Sequence, residues 1–194
     1  MQRIYELRKE AFKKGEPILR EKSFELLLET IKAKKPTQIL EIGVNLGLSG
    51  IAMLLTEKGA HLSGIEIDEE KIALAKQNYV DFGVSDRAKI FKGDAGEIIP
   101  LLTGEYDFIF LDGPKGHYFE YLPYLLSVLK KGGILFADNV LFRGYVNSTE
   151  KTPKKFNTTR YSMEKFLKAI TEDEKLKTTV YELEDGVSIT EKLL

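Results

Sequence analysis

Cysteine and tryptophan are both absent from this chain of 194 residues. Without a thiol, disulfide frameworks, cysteine-ligated zinc and thiol nucleophiles are all excluded. Only two histidines occur, His61 and His117, which cannot make a zinc site or a convincing triad. No G-x-S-x-G elbow and no Gly-Lys pair of a Walker phosphate loop is present. Apolar runs stop well short of the ~18–20 residues of a membrane span. The first 14 residues are charged and helical in pattern, with no apolar core for a secretory signal. These absences leave a soluble, cytoplasmic chain forming one domain over 1–194, with 1–35 as a helical N-terminal extension.

The 29 Lys and Arg against 30 Asp and Glu give a net charge of −1, and 43% hydrophobic with 30% charged residues is a globular composition. The charge is unevenly placed. Residues 1–35 carry ten basic and six acidic side chains, 143–160 five and one, and 171–194 three and seven. Such asymmetry turns one side toward a polyanion, although on charge alone a solvated helical surface is the plainer explanation.

Apolar spacing predicts helices over 2–14 and Glu21–Lys34, the second with Phe24, Leu27, Leu28 and Ile31 on one face. After Pro36, strands and helices alternate. Strands are expected at Gln38–Ile42, 61–67, 88–91, Tyr106–Leu111 and 134–137. Helices are expected at 48–58, 69–82, from Asp94 to about 102, 118–130 and 161–170. Lys131-Gly132-Gly133 reads as a break before the fifth strand, and 141–158 as a loop. Asp185-Gly186 between 178–183 and 187–190 is a hairpin signal. The pattern predicts an α/β, Rossmann-like, doubly wound fold with a mostly parallel seven-stranded sheet and an antiparallel C-terminal hairpin.

Chemistry-bearing residues collect at the strand ends. Leu40-Glu41-Ile42-Gly43-Val44-Asn45-Leu46-Gly47-Leu48-Ser49 spans the join of the first strand and its helix. Glycines there let a ligand approach the backbone at a helix N-terminus; a tight turn without a ligand is the alternative. Asn45 stands where a dinucleotide fold wants its second glycine. Glu41 repels phosphate but suits a cationic amino acid or a sulfonium. Glu66 ends the second strand, where a carboxylate accepts from ribose hydroxyls, and Gly93-Asp94-Ala95 ends the third, where an adenine would lie. Asp112 closes the fourth strand and Asp138-Asn139 the fifth. Two carboxylates and an amide oxygen make a hard-cation set suited to Mg²⁺; helix capping is the other use of a single Asp.

In this order the segments resemble the class I S-adenosylmethionine-dependent methyltransferases. More narrowly they resemble the metal-dependent O-methyltransferase family that includes catechol and caffeoyl-CoA O-methyltransferases. The resemblance runs from about residue 16 to the end, through 40–49, 64–68, 93–95, 110–118, 132–146 and 183–189. Asp138-Asn139-Val140-Leu141 followed by Phe142-Arg143-Gly144 is its most specific stretch. Pro17-Ile18-Leu19, Asp112 with Lys115-Gly116-His117-Tyr118, and Leu141-Phe142-Arg143-Gly144 look most like the bacterial branch that methylates 5-hydroxyuridine at the tRNA wobble position. Small-molecule branches more often carry Trp where Phe142 stands. The arginine run of the bacterial branch is diluted here to Lys154-Lys155-Phe156-Asn157-Thr158-Thr159-Arg160.

The resemblance implies S-adenosylmethionine bound by Leu19, Glu41, Gly43, Val44, Ser49, Glu66, Asp94, Ala95 and Asp112. It implies Mg²⁺ or Mn²⁺ on Asp112, Asp138 and Asn139. A substrate with vicinal oxygens chelates such a cation and loses its hydroxyl proton more readily. Catechol and 5-hydroxyuridine both have that pattern. Lys115 would take the proton, a surface loop lysine being its alternative. The expected acceptor is 5-hydroxyuridine in a tRNA anticodon arm, giving 5-methoxyuridine. Arg143, Lys154, Lys155 and Arg160 would then contact phosphates, with Tyr118 or Phe142 either stacked on the base or packed in the core. A catechol-like small molecule is the alternative acceptor, and a non-catalytic nucleotide- or RNA-binding module the third reading. A homodimer is expected from the family, and no membrane partner.

Overall fold

The computed structural model describes residues 1–146, 148 and 152–194. Asn147, Thr149, Glu150 and Lys151, in the middle of the loop expected over 141–158, lie outside the described residues. Two compact units divide the chain, Met1–Ile98 and Ile99–Leu194.

The first unit holds α1 (Gln2–Lys13), α2 (Glu21–Lys34), β1 (Gln38–Ile42), α3 (Leu48–Thr56), β2 (His61–Glu66), α4 (Glu69–Asp81), β3 (Ala88–Lys92) and α5 (Ala95–Ile98). β1 and β2 run parallel with Gln38 opposite His61 and Ile42 opposite Ile65. β2 and β3 run parallel with Glu66 opposite Lys92. Ile39 through Ile42 are all inaccessible, the near-continuous burial of a parallel strand covered on both faces. α2 buries Phe24, Leu27 and Ile31. From α1, the buried Arg8 donates to the Leu19 carbonyl at 2.6 Å and lays its guanidinium 3.5 Å over the Phe24 ring. Arg87 donates to the carbonyls of Leu54, Glu57, Lys58 and Ala60, satisfying acceptors that the end of α3 leaves open.

The second unit holds β4 (Tyr106–Leu111), α6 (Tyr118–Val128), β5 (Leu129–Asp138), α7 (Asn157–Glu172), β6 (Leu176–Tyr181) and β7 (Val187–Lys192). β4 and β5 are parallel, whereas β7 runs antiparallel to both β5 and β6. Phe108, Phe110 and Phe136 pack their rings together, and α7 buries Met163, Phe166, Leu167 and Ile170. The seven strands follow the order β3-β2-β1-β4-β5-β7-β6, so the Rossmann-like, mostly parallel sheet with its antiparallel hairpin is as expected.

Most element ends fall within a residue or two of the sequence reading, and three differ in kind. Gly132-Gly133 does not break the chain before a strand but lies inside β5. The pairing steps from Tyr106–Leu129 to Phe108–Ile134, and Gly132 takes φ +72°, so the glycines absorb extra residues as a bulge. α7 starts at Asn157 rather than near 161, after a one-turn 3₁₀ segment at Lys154–Phe156. The hairpin is looser than a two-residue turn. Its strands stop at Tyr181 and resume at Val187, and Gly186 N–H closes the loop on the Leu183 carbonyl at 2.7 Å.

Candidate active site

In the first unit, the turn between β1 and α3 is tethered at four points. Gly43 N–H donates to the Ile65 carbonyl at 3.0 Å. Asn45 N–H donates to Glu66 Oε2 at 2.8 Å, and the Asn45 side-chain amide donates to the Pro17 carbonyl at 2.9 Å. Asn78 of α4 donates to the Leu46 carbonyl at 2.9 Å. Asn45 has φ +49°, a left-handed conformation that Asn tolerates better than most residues, which explains why it serves where glycine was looked for. Gly47 has φ +74°, and a methyl group built on it would stand 2.8 Å from Tyr79 Cε1.

Glu66 Oε1 accepts from Ile67 N–H at 2.9 Å and Asp68 N–H at 3.0 Å, while Oε2 takes the single bond from Asn45. A carboxylate offers about four lone-pair directions, so one on Oε2 stays available to a ribose hydroxyl. Asp94 is exposed after Gly93, with Oδ1 accepting from Gly96 N–H at 2.7 Å. Ser49 is half-buried in the first turn of α3. The structure thus brings Gly43, Asn45, Glu66 and the start of α3 together.

Other residues named for the cofactor sit deeper than the sequence reading implied. Leu19 is buried in the core and its carbonyl is taken by Arg8. Val44 and Ala95 are also buried apolar side chains. Glu41 is fully inaccessible, its Oε2 close beside Gly50, where a Cβ would stand 2.7 Å from it. Any role of Leu19, Val44 or Ala95 toward a ligand is therefore one of backbone shape. Asn78 and Tyr79, which the sequence does not single out as site residues, also meet the β1–α3 turn. The one signal was Tyr79 on the same helical face as Ile72 and Ala75, which reads as ordinary core.

In the second unit, Leu111 of β4 is the register partner of Ala137 of β5, so Asp112 and Asp138 follow at adjacent strand ends. Tyr118, fully buried, donates to the carbonyls of Leu111 at 3.0 Å and Asp138 at 3.3 Å. It ties the two ends together and packs its ring on Phe166. That burial removes Tyr118 as a stacking surface for a base. Lys115 Nζ meets Asp112 Oδ1 at 2.9 Å.

Burial pushes the Asp138 carboxyl up to about 7, the charge of Asp112 adding to it and Lys115 opposing it. Burial also raises Asp112, against the lowering effect of Lys115. Asn139 follows with φ +59°. Among the described residues no group of three or more His, Cys, Asp or Glu side chains gathers as a metal cluster. The set at hand is two carboxylates and one amide. Its all-oxygen chemistry, and the repulsion that Asp112 exerts on a nearly buried Asp138, fit a hard divalent cation.

Beyond Asn139, Phe142, Tyr145 and Phe156 form a triangle of rings with centroids 5.6–6.2 Å apart. Arg143 and Lys155 lie over the Phe156 ring at 5.2 and 4.8 Å. Arg143, Lys154 and Lys155 are exposed. Arg160, expected on phosphate, is largely engaged within the chain. Its guanidinium donates to Glu164 Oε1 at 2.7 Å, Thr152 Oγ1 at 2.8 Å and the Ser148 carbonyl at 3.0 Å. Three of its five N–H donors are thus committed within the chain, which leaves two for any phosphate.

The O-methyltransferase family profile matches residues 3–193. A catechol O-methyltransferase of Niastella koreensis is 35% identical over 137 residues, 66% of this chain and 61% of that protein. A candidate caffeoyl-CoA O-methyltransferase of Staphylococcus aureus superposes with a TM-score of 0.89 at 25% identity, over 97% of this chain and 91% of its own. The SAH-bound methyltransferase PaMTH1 of Podospora anserina does so with a TM-score of 0.79 at 26% identity, over 90% and 80%. With the profile spanning nearly every residue, the chain belongs to the O-methyltransferase family and is an S-adenosylmethionine-dependent O-methyltransferase.

Proposed function

We propose that this enzyme methylates one hydroxyl of a catechol-like small molecule, in a reaction that needs a divalent cation. The observation that carries the reading is the pair of carboxylates, half-buried Asp112 and buried Asp138, at adjacent strand ends with Lys115 bonded to the first. The catechol and caffeoyl-CoA names of the relatives support this acceptor over the wobble uridine that the sequence first pointed to. The three internal bonds of Arg160 support it too. A homodimer, a cytoplasmic location and Mg²⁺ as the particular cation belong to the same proposal, the first resting on the family resemblance and the last on that and on the all-oxygen donor set.

When bound, S-adenosylmethionine supplies an electrophilic methyl group, and a cation on Asp112, Asp138 and Asn139 supplies Lewis acidity to vicinal oxygens. Glu66 binds and orients a ribose hydroxyl through its open lone pair. Tyr118 keeps the strand ends carrying Asp112 and Asp138 in fixed relation. Lys115, whose Nζ lies 2.9 Å from Asp112 Oδ1, is the side chain placed to take the acceptor's proton.

Purified enzyme is incubated with S-adenosylmethionine and catechol, with Mg²⁺ or with excess EDTA, and the products are read by mass spectrometry. Methylated catechol with metal and none with EDTA is the expected result, and Asp138→Ala should abolish turnover while keeping the melting temperature. Full turnover in EDTA would make the aspartates structural caps. Inert catechols together with methylation of an anticodon stem-loop containing 5-hydroxyuridine would restore the RNA acceptor.

A further inference from the structure

Two glycines at the start of α3 owe their lack of a side chain to a residue of another helix. The Tyr79 ring, almost wholly buried, fills the space where a Cβ on Gly47 would go, 2.8 Å from Cε1 and 3.2 Å from Cζ. Its hydroxyl reaches on to Gly50. A Cβ there would stand 3.2 Å from that hydroxyl and 2.7 Å from Glu41 Oε2. One side chain therefore runs beneath the turn and ends beside the inaccessible Glu41 carboxylate.

The polar end of that side chain is costly where it lies. The Tyr79 hydroxyl is buried and has no hydrogen-bond partner among the described residues, a condition that natural cores rarely keep without a reason. Phenylalanine would fill the same space without an orphaned polar atom. Burial, and then the charge of Glu41, hold the phenol above its ordinary value. It stays protonated, and its O–H dipole can face the carboxylate. The preceding residue, Asn78, donates to the Leu46 carbonyl in the same turn at 2.9 Å. Successive residues of α4 thus grip the turn from below, while Glu66 and the Pro17 carbonyl hold Asn45 from other directions. A turn with Asn45 and Gly47 both in left-handed conformations needs that bracing to keep one shape.

We propose that Tyr79, assisted by Asn78, is a positioning residue of the cofactor site: it fixes the shape of the 43–47 turn and the setting of Glu41, and through them the affinity for S-adenosylmethionine. The inference rests on the reading of that turn as the cofactor's. Its strength should be graded. Losing the hydroxyl leaves the ring as a strut, whereas losing the ring lets the turn relax.

The test is titration calorimetry of the full-length enzyme with S-adenosylhomocysteine, alongside melting temperatures and steady-state kinetics with catechol. Asn78→Leu should weaken binding about fivefold, the loss of roughly one neutral hydrogen bond, and Tyr79→Phe, which removes a hydroxyl without a bonding partner among the described residues, about twofold. Tyr79→Leu should weaken it tenfold or more. In each case KM for S-adenosylmethionine rises while kcat at saturating cofactor and KM for catechol stay put. Variants that melt earlier yet bind the cofactor like the wild type would overturn the proposal, leaving Tyr79 as core. If Tyr79→Leu does not fold, the other two variants decide. A wild-type protein that binds no S-adenosylhomocysteine would instead bring down the cofactor reading itself, and this inference with it.

Discussion

Replacing Glu66 by Ala removes the acceptor of three backbone N–H groups, those of Asn45, Ile67 and Asp68. Two of these donors face solvent and can turn to water. Asn45 cannot do so without moving the turn. One lone-pair direction of Oε2 remains for a ribose hydroxyl, and a hydrogen bond to a charged group is worth about 1.5–3 kcal/mol. That converts to a loss of about 10- to 150-fold in cofactor affinity, before any relaxation of the turn. Glu66→Gln sharpens the case. Its oxygen can replace Oε1 or Oε2 but not both, so its NH₂ must face a backbone donor. It should lose nearly as much as alanine despite its matched shape. Calorimetry with S-adenosylhomocysteine reads both variants, and a melting temperature checks the fold. A Glu66→Gln protein with wild-type affinity would refute the hydrogen-bond count and the assignment with it.

Arg160→Ala should lower unfolding free energy in urea by about 1–2 kcal/mol, since three internal bonds go from a partly exposed site. Wild-type stability combined with weaker binding of an anticodon stem-loop would show that phosphate contact is its work after all. Tyr79 supplies a pH prediction. Its folded value lies above the ordinary 10.0, so its contribution to stability is complete below about pH 10 and lost as pH rises toward the folded value. Tyr79→Phe should flatten the alkaline fall of urea stability by up to about 1.4 kcal/mol per pH unit, and equal slopes in the two proteins would contradict the shift.

Much of the fold was legible because its signals are local. The alternation of apolar strands and amphipathic helices after Pro36, and the acids Glu66, Asp112 and Asp138 at the strand ends, are features of neighbouring residues. Element ends moved by a few residues where tertiary pairing overrode a breaker, as at Gly132-Gly133, which the strand absorbs as a bulge.

What the sequence by itself determined, then, is the order of elements and which carboxylates close which strands, because side-chain period and turn chemistry are written along the chain. Only the tertiary structure decided who answers whom across it. Nothing local couples Tyr79 to Gly47 and Gly50, or gives Leu46 a donor from Asn78, 32 residues away. The pairing of Arg160 with Glu164 is a local i,i+4 contact of α7, but nothing local adds Thr152 and the Ser148 carbonyl to its partners. The physical reason is that a polar side chain takes whichever partner the folded chain brings within about 3 Å, and burial then sets what that partner is worth.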